Sequence, residues 1–266
     1  MKYTLGFIGC GNMGGALVQA AAKTLNGTQI AVCDHNQQKI DKYTSAFGVI
    51  DTTAQDIAKN AQFVILGMKP QVMQNAISEI IADLKANDDV TVVSMAAGLT
   101  IAKIRSFIGT DLPIIRIIPN TPVGLGAGMT LYSTADVTAE KENAFLAAFE
   151  KAGLFDKIPE EKIDAGSALS GCGPAFVYMF AEALADGAVE CGLPRDKAAK
   201  YAAQTLLGAA EMLLEYGNPG ALKDAVCSPG GTTIAGVHAL ENAGFRGATM
   251  SAVTSAFQRT LDLQKK

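Results

Sequence analysis

The 266-residue chain has no tryptophan and two histidines, His35 and His238, and its five cysteines (10, 33, 172, 191 and 227) are scattered with no C-x-x-C pair among them. An odd, dispersed set of this kind excludes a disulfide framework and a zinc site, so no metal is expected and a reducing cytoplasm fits. Basic runs are missing as well. The net charge is −4 with both signs interspersed, which argues against nucleic acid and against an anionic membrane surface as partners. Long hydrophobic runs are also scarce. The longest apolar stretch, Val90 to Ala102, is broken by Thr, Ser and Gly, short of the about 20 residues that a bilayer span needs. The N-terminal MKYTLGFIGCGNMGG carries too many glycines for a signal-peptide core. A soluble cytoplasmic protein is expected. With 49% apolar residues and no low-complexity tract, the chain can bury a substantial core in one large domain or two.

What is present falls into two halves. From residue 4 to about 133, β-rich runs alternate with segments of helical length. The runs are Thr4–Gly9, Gln29–Cys33, Phe63–Gly67, Val90–Met95, Ile114–Ile118 and Met129–Tyr132; the helical segments include Asn12–Thr24, Asn36–Phe47 and Pro70–Leu84. Near-continuous apolar strands in a βαβα rhythm predict an α/β, doubly wound Rossmann-type parallel sheet covered on both faces. After about Asp156 the β signal ends. Ala168–Cys191, Pro194–Tyr216 and Phe245–Leu263 read as helices, with breaks at Gly192-Leu-Pro194 and Gly217-Asn-Pro219-Gly220. These helices are apolar on several faces and rich in Ala and Gly, as expected of an all-α domain that another subunit covers. The division is expected at 1–159 and 160–266.

Gly9-Cys10-Gly11-Asn12-Met13-Gly14 follows an apolar strand and opens a helix. In that context G-x-G-x-x-G is a dinucleotide fingerprint. Gly9 permits the tight turn, Gly11 lets a pyrophosphate approach the backbone, and Gly14 lets helix pack on sheet. Asp34 stands at the end of the second strand, where a carboxylate accepts from the adenosine ribose and repels a 2′-phosphate. It favours NADH, while His35 beside it would meet a phosphate if charged. No G-x-x-x-x-G-K-[ST] loop is present, which disfavours phosphoryl transfer. Ligands of such sheets lie beyond the carboxyl ends of the strands, where Met68-Lys69-Pro70, Ala96-Ala97-Gly98 and Asn120, between Pro119 and Pro122, fall. The alanines and glycine leave room for a nicotinamide ring, Lys69 could meet ribose or phosphate, and Asn120 is rigidly displayed.

A second glycine motif, Cys227-Ser-Pro-Gly-Gly-Thr-Thr-Ile234, could open a helix whose free N–H groups hold an anion, or simply be a turn. It could instead present Cys227 or Ser228 as a nucleophile, with His238 the nearest base in sequence, although no oriented base–acid series is visible.

These landmarks together resemble the pyrroline-5-carboxylate reductase family, essentially end to end. The likeness runs through Gly9–Gly14, Met68-Lys69-Pro70, Ala96-Ala-Gly98, Arg116-x-x-Pro-Asn120-Thr-Pro122, Leu169-Ser-Gly-Cys-Gly-Pro-Ala175 and Ser228-Pro-Gly-Gly-x-Thr233-Ile. The resemblance implies hydride transfer from NAD(P)H to the C=N carbon of 1-pyrroline-5-carboxylate, giving L-proline. It also implies a helical C-terminal domain that makes a homodimer or a larger ring of dimers, with partner subunits completing each active site. It assigns the N–H groups of Gly231, Thr232 and Thr233 to the substrate carboxylate, the Thr233 hydroxyl to the ring nitrogen as the catalytic contact, and Glu160 to the substrate's neighbourhood. Many members use NADPH and carry other residues where this chain has Cys33-Asp34-His35-Asn36, so the family habit and the Asp34 argument pull apart. A hydroxy-acid dehydrogenase would be expected to display a conspicuous His or Lys base. A non-catalytic dinucleotide-binding protein remains the alternative from another class.

Overall fold

The computed structural model describes residues 2–264. Eight strands form one sheet: β1 (Tyr3–Ile8), β2 (Ile30–Cys33), β3 (Ile50–Asp51), β4 (Ala61–Leu66), β5 (Thr91–Ser94), β6 (Ile114–Ile118), β7 (Gly128–Ala135) and β8 (Gly153–Lys157). Their spatial order is β3-β2-β1-β4-β5-β6-β7-β8. From β3 to β6 all neighbours are parallel. The chain departs from the expected all-parallel sheet at β7, which runs antiparallel to β6 with Arg116 opposite Ser133, and β8 is parallel to β7. The connection 119–127 contains only a 3-10 turn, Thr121–Leu125, and a parallel crossover needs a dozen residues or more.

The helices of this half are α1 (Asn12–Ala21), α2 (Gln37–Phe47), α3 (Ala54–Asn60), α4 (Pro70–Lys85), α5 (Ile101–Ile108) and α6 (Ala139–Ala148). Side chains alternate across the strands. Leu5, Phe7, Phe63 and Ile65 pack with Leu17, Val18, Ile40, Phe145 and Phe149 from α1, α2, α6 and the segment after α6. Ile8, Val64 and Leu66 meet Ile57, Met73, Ile77 and Ile104 from α3, α4 and α5 on the other face. In α4, Pro70 takes the first turn, and Met73, Ile77, Ile80 and Leu84 form the buried stripe. Strands β3 and β8 and helices α3, α5 and α6 join the elements expected from sequence.

The remainder is helical: α7 (Glu160–Ser170), α8 (Gly173–Glu190), α9 (Arg195–Tyr216), α10 (Pro219–Ala225), α11 (Thr232–Asn242) and α12 (Phe245–Gln264). Helix α10 occupies an expected break. Asn218 Oδ1 accepts from the N–H groups of Gly220 and Ala221 at 3.1 and 3.2 Å, and Pro219 is the first helical residue, so the turn residues start a helix rather than ending one. The helical run Glu160–Glu190 is long and apolar enough to cross a membrane by length and composition, and is the one such helix among the described residues; its apolar window is 11% buried in a single chain. The expectation built on contiguous apolar residues, with Val90–Ala102 the longest, does not register this run, because polar residues interrupt it and α7 and α8 meet within it.

Compactness divides the chain into a unit up to Cys172, with the segment from Ala256 onward, and a unit Gly173–Ser255. The break lies beyond the expected 159/160 because α7 is ion-paired to the sheet: Arg116 of β6 donates to Glu160 and Asp164 at 3.2 and 2.7 Å.

Candidate dinucleotide site and a second helix start

At the end of β1 the chain turns on Gly9, whose φ is +102°, a conformation that L side chains rarely adopt. Its N–H donates to Cys33 O, and Gly67 N–H donates to Ile8 O, both at 2.8 Å. A Cβ on Gly14 or on Gly67 would stand 2.2 Å from Gly9 O, so three glycines lock β1, α1 and the end of β4 together. Around Gly11 the space is open, with no atom within 4 Å of an added Cβ. No side chain caps α1 and no acid sits in its first turn. Its N–H groups and the positive end of its dipole are therefore open to an anion. Asn12 is exposed and Met13 packs on the core. Cys10 is buried, and burial first, then the Asp34 charge, pushes its thiol up to about 12. It is a packing residue and no thiolate at neutral pH.

The Asp34 side chain is only 4% exposed. Its Oδ2 accepts from Cys10 N–H at 2.7 Å, and its Oδ1 accepts from Asn36 N–H at 2.9 Å. Burial acts to raise its pKa, but these two N–H groups, with Lys39 and His35, outweigh it and hold the carboxyl below the ordinary range. The sequence placed Asp34 at the right strand end, but its carboxylate is spent inward, on the glycine turn and on the start of α2. His35, by contrast, is 95% exposed.

Beyond β4 and β5 lies a cavity of about 740 Å³ lined by Pro70, Gln71, Ala97, Gly98, Leu99 and Thr100, with Lys103 of α5 and Leu263 of α12. It brings together Pro70, Ala97 and Gly98. Gly98 has φ +79°, Ala96 is buried, and Lys69 is exposed at the position before α4. Met68 packs against the core.

Two further candidates are hydrogen-bonded to the framework. Asn120 is buried rather than displayed: its Nδ2 donates to Ser170 O at 3.0 Å, and its Oδ1 accepts from Met129 N–H at 2.9 Å. Glu160 Oε1 accepts from Ile101 N–H at 2.7 Å at the start of α5, besides pairing with Arg116. Arg116, at 1% exposure, is the residue to which sequence reasoning assigned no role, although an arginine inside the apolar run Ile114-Ile-Arg-Ile-Ile118 signals a buried charge in need of partners.

In the other unit, Ser228-Pro-Gly-Gly-Thr-Thr forms a turn running into α11. Gly231 N–H donates to Ser228 O at 3.0 Å, and Gly230 has φ +67°. A Cβ on Gly231 would meet Ser228 Oγ at 2.3 Å and Ser228 O at 3.1 Å, so a larger residue there has to displace the Ser228 side chain. No side chain caps α11. Thr232 and Thr233 are exposed in its first turn, whose N–H groups have no carbonyl one turn earlier to bond. A cavity of about 590 Å³ touches Gly230, Gly231, Ile234, Ala235, Val237, His238 and Glu241 on one face of the helix. The His238 ring lies 3.0 Å from Asn242 Nδ2 on the same helix, which leaves the nucleophile reading of Cys227 and Ser228 without geometric support.

Family models match in two stretches: "Pyrroline-5-carboxylate reductase dimerisation" over residues 160–263 and "NADP oxidoreductase coenzyme F420-dependent" over residues 4–98. The chain is 43% identical to the pyrroline-5-carboxylate reductase of Escherichia coli strain K12, covering 100% of both chains. It is 38% identical to that of Arabidopsis thaliana, over 99% of this chain and 96% of the relative. Among solved structures it is similar to a Coxiella burnetii pyrroline-5-carboxylate reductase, with TM-score 0.89, 32% identity and 100% of both chains covered. It is also similar to the Plasmodium falciparum pyrroline carboxylate reductase with NADP bound, with TM-score 0.87, 28% identity and 98% of both chains covered. With glycine turn, helical half and overall length all aligned, the chain belongs to the pyrroline-5-carboxylate reductase family.

Proposed function

We propose that this chain reduces 1-pyrroline-5-carboxylate to L-proline, the last step of proline biosynthesis, with NAD(P)H held at the Gly9–Gly14 turn. The observation that carries the reading is the second uncapped helix start, at Gly231–Thr233, in a chain that aligns end to end with reductases of this name. NAD(P)H supplies the hydride when bound. The open space at Gly11 and the uncapped start of α1 fit its pyrophosphate, and the small residues Ala97 and Gly98 fit its nicotinamide.

The chain's own residues have mainly to position. Near-attack geometry contributes up to about 7–11 kcal/mol in ideal cases. In this reading the N–H groups of Thr232 and Thr233 hold the substrate carboxylate, the Gly231 N–H expected to join them being already bonded to Ser228 O, and the Thr233 hydroxyl orients the ring nitrogen. The imine carbon gains the hydride and the nitrogen keeps a proton taken before transfer, so no strong general acid is required. Glu160 contributes indirectly, since its carboxylate already serves Arg116 and the start of α5. The functional division is 1–159 for the dinucleotide and 160–266 for dimerisation and substrate, working as a homodimer or larger ring of dimers in the cytoplasm.

Oxidation of NADH and NADPH by purified protein with pyrroline-5-carboxylate tests the reading. Tight dinucleotide binding without turnover would leave only a binding protein. Thr233→Ala is expected to lower kcat/KM by about tenfold or more, a loss of about 1.4 kcal/mol of transition-state stabilisation, with dinucleotide affinity unchanged. A fall in that affinity instead would remove Thr233 from the substrate side.

A further inference from the structure

We propose that Lys39, assisted by His35, accepts the 2′-phosphate of NADPH, and that Asp34 is a positioning residue for the glycine turn rather than a selector; this rests on the NAD(P)H reading above.

The rule that an acid at the end of the second strand repels a 2′-phosphate assumes a carboxylate facing the ribose. Asp34 does not offer one. Its side chain is 4% exposed, Oδ2 accepts from Cys10 N–H, and Oδ1 accepts from Asn36 N–H. The groups on the outer side of Oδ1 are two bases, His35 Nδ1 at 3.5 Å and Lys39 Nζ at 3.9 Å. Lys39 is 40% exposed and His35 95% exposed, so a ligand meets the bases before the acid. Lys39 cancels the Asp34 charge, and 3.9 Å exceeds hydrogen-bond length, so its ammonium is held loosely and turns to a phosphate at little cost. The other acids of this edge, Asp41 and Asp51, are drawn together by Gln37 Nε2 at 3.1 and 3.0 Å. Lys39 therefore meets the phosphate as a point charge where other folds of this type use a nearby arginine.

The test is direct binding of NADPH and NADH, followed by nicotinamide fluorescence or calorimetry, to the wild-type protein, Lys39→Gln, Asp34→Asn and the double variant Asp34→Asn/Lys39→Gln. The wild type should bind NADPH more tightly than NADH. Lys39→Gln should weaken NADPH by about tenfold and move NADH by less than about twofold. Asp34→Asn also uncovers the Lys39 charge, so any gain it gives NADPH over NADH should need Lys39, and the ratio in Asp34→Asn/Lys39→Gln should match that of Lys39→Gln within about twofold. A gain in NADPH affinity from Asp34→Asn that persists in the Lys39→Gln background would overturn the proposal and restore Asp34 as selector. So would an unchanged ratio in Lys39→Gln. Failure of the wild type to bind either dinucleotide would overturn the cofactor reading itself, and this inference with it.

Discussion

A methyl group on Gly14 would stand 2.2 Å from the Gly9 carbonyl oxygen, whereas one on Gly11 would meet nothing within 4 Å. The two glycines of one motif therefore differ in their surroundings: the first is fixed by the fold, and the second borders open space, where the proposed dinucleotide would lie. Gly14→Ala is expected to lower unfolding free energy by about 1–3 kcal/mol, as overpacking does, and to weaken the dinucleotide as α1 shifts. Gly11→Ala should hold its melting temperature while losing dinucleotide affinity, because its methyl occupies the space left for a pyrophosphate. Thermal melts beside NADPH titrations separate the two, and equal losses of melting temperature would contradict the assignment. At this scale the sequence was legible wherever spacing carries the meaning, as in Gly9, Gly11 and Gly14. It was silent on direction. Asp34 and Asn120 were found at the ends of the right elements, yet the first bonds to Cys10 N–H and the second to Ser170 and Met129, partners 24, 50 and 9 residues away along the chain.

Strand β6 and helices α5 and α7 meet at Arg116, whose guanidinium donates to Glu160 and Asp164 while Glu160 accepts from the first N–H of α5. Breaking a buried pair by deleting one partner costs about 3–5 kcal/mol. Glu160 remains 30% exposed, so Arg116→Met should fall at about 3 kcal/mol, the low side of that range. Urea unfolding measures it, and a cost near zero would show that hydrophobic replacement fully compensates. Arg116→Lys should recover only part, since an ammonium lacks the fork that reaches both carboxylates. The elements that sequence missed are short or lack periodicity. Strand β3 has two residues, β8 is largely exposed, α3 and α10 have seven each, and α10 begins with the Asn-Pro-Gly that reads as a turn. Their existence depends on neighbours and caps, which a periodic pattern does not encode.

Across the whole chain, the βα rhythm followed by a β-free helical half made the two-part architecture legible, and the Ala- and Gly-rich faces announced a missing partner. The antiparallel β7 was not legible, because pairing direction depends on how far the connection reaches. Single chains leave Tyr178, Met179, Leu207 and Leu214 exposed, Met179 at 69%, more apolar surface than a lone soluble domain usually shows. Sedimentation should therefore find a dimer or larger assembly at micromolar concentration, and Met179→Asp should shift it toward monomer with a lower, concentration-dependent melting temperature. An unchanged assembly would remove α8 from the interface. The run Glu160–Glu190, with membrane-span hydropathy and 11% burial, gives this surface a meaning during synthesis. A newly made protomer displays the signal by which chaperones and proteases recognise unfinished proteins, and pairing erases it. Unpaired subunits are then expected to be cleared faster than assembled ones, a difference that pulse-chase labelling of wild type and Met179→Asp would read.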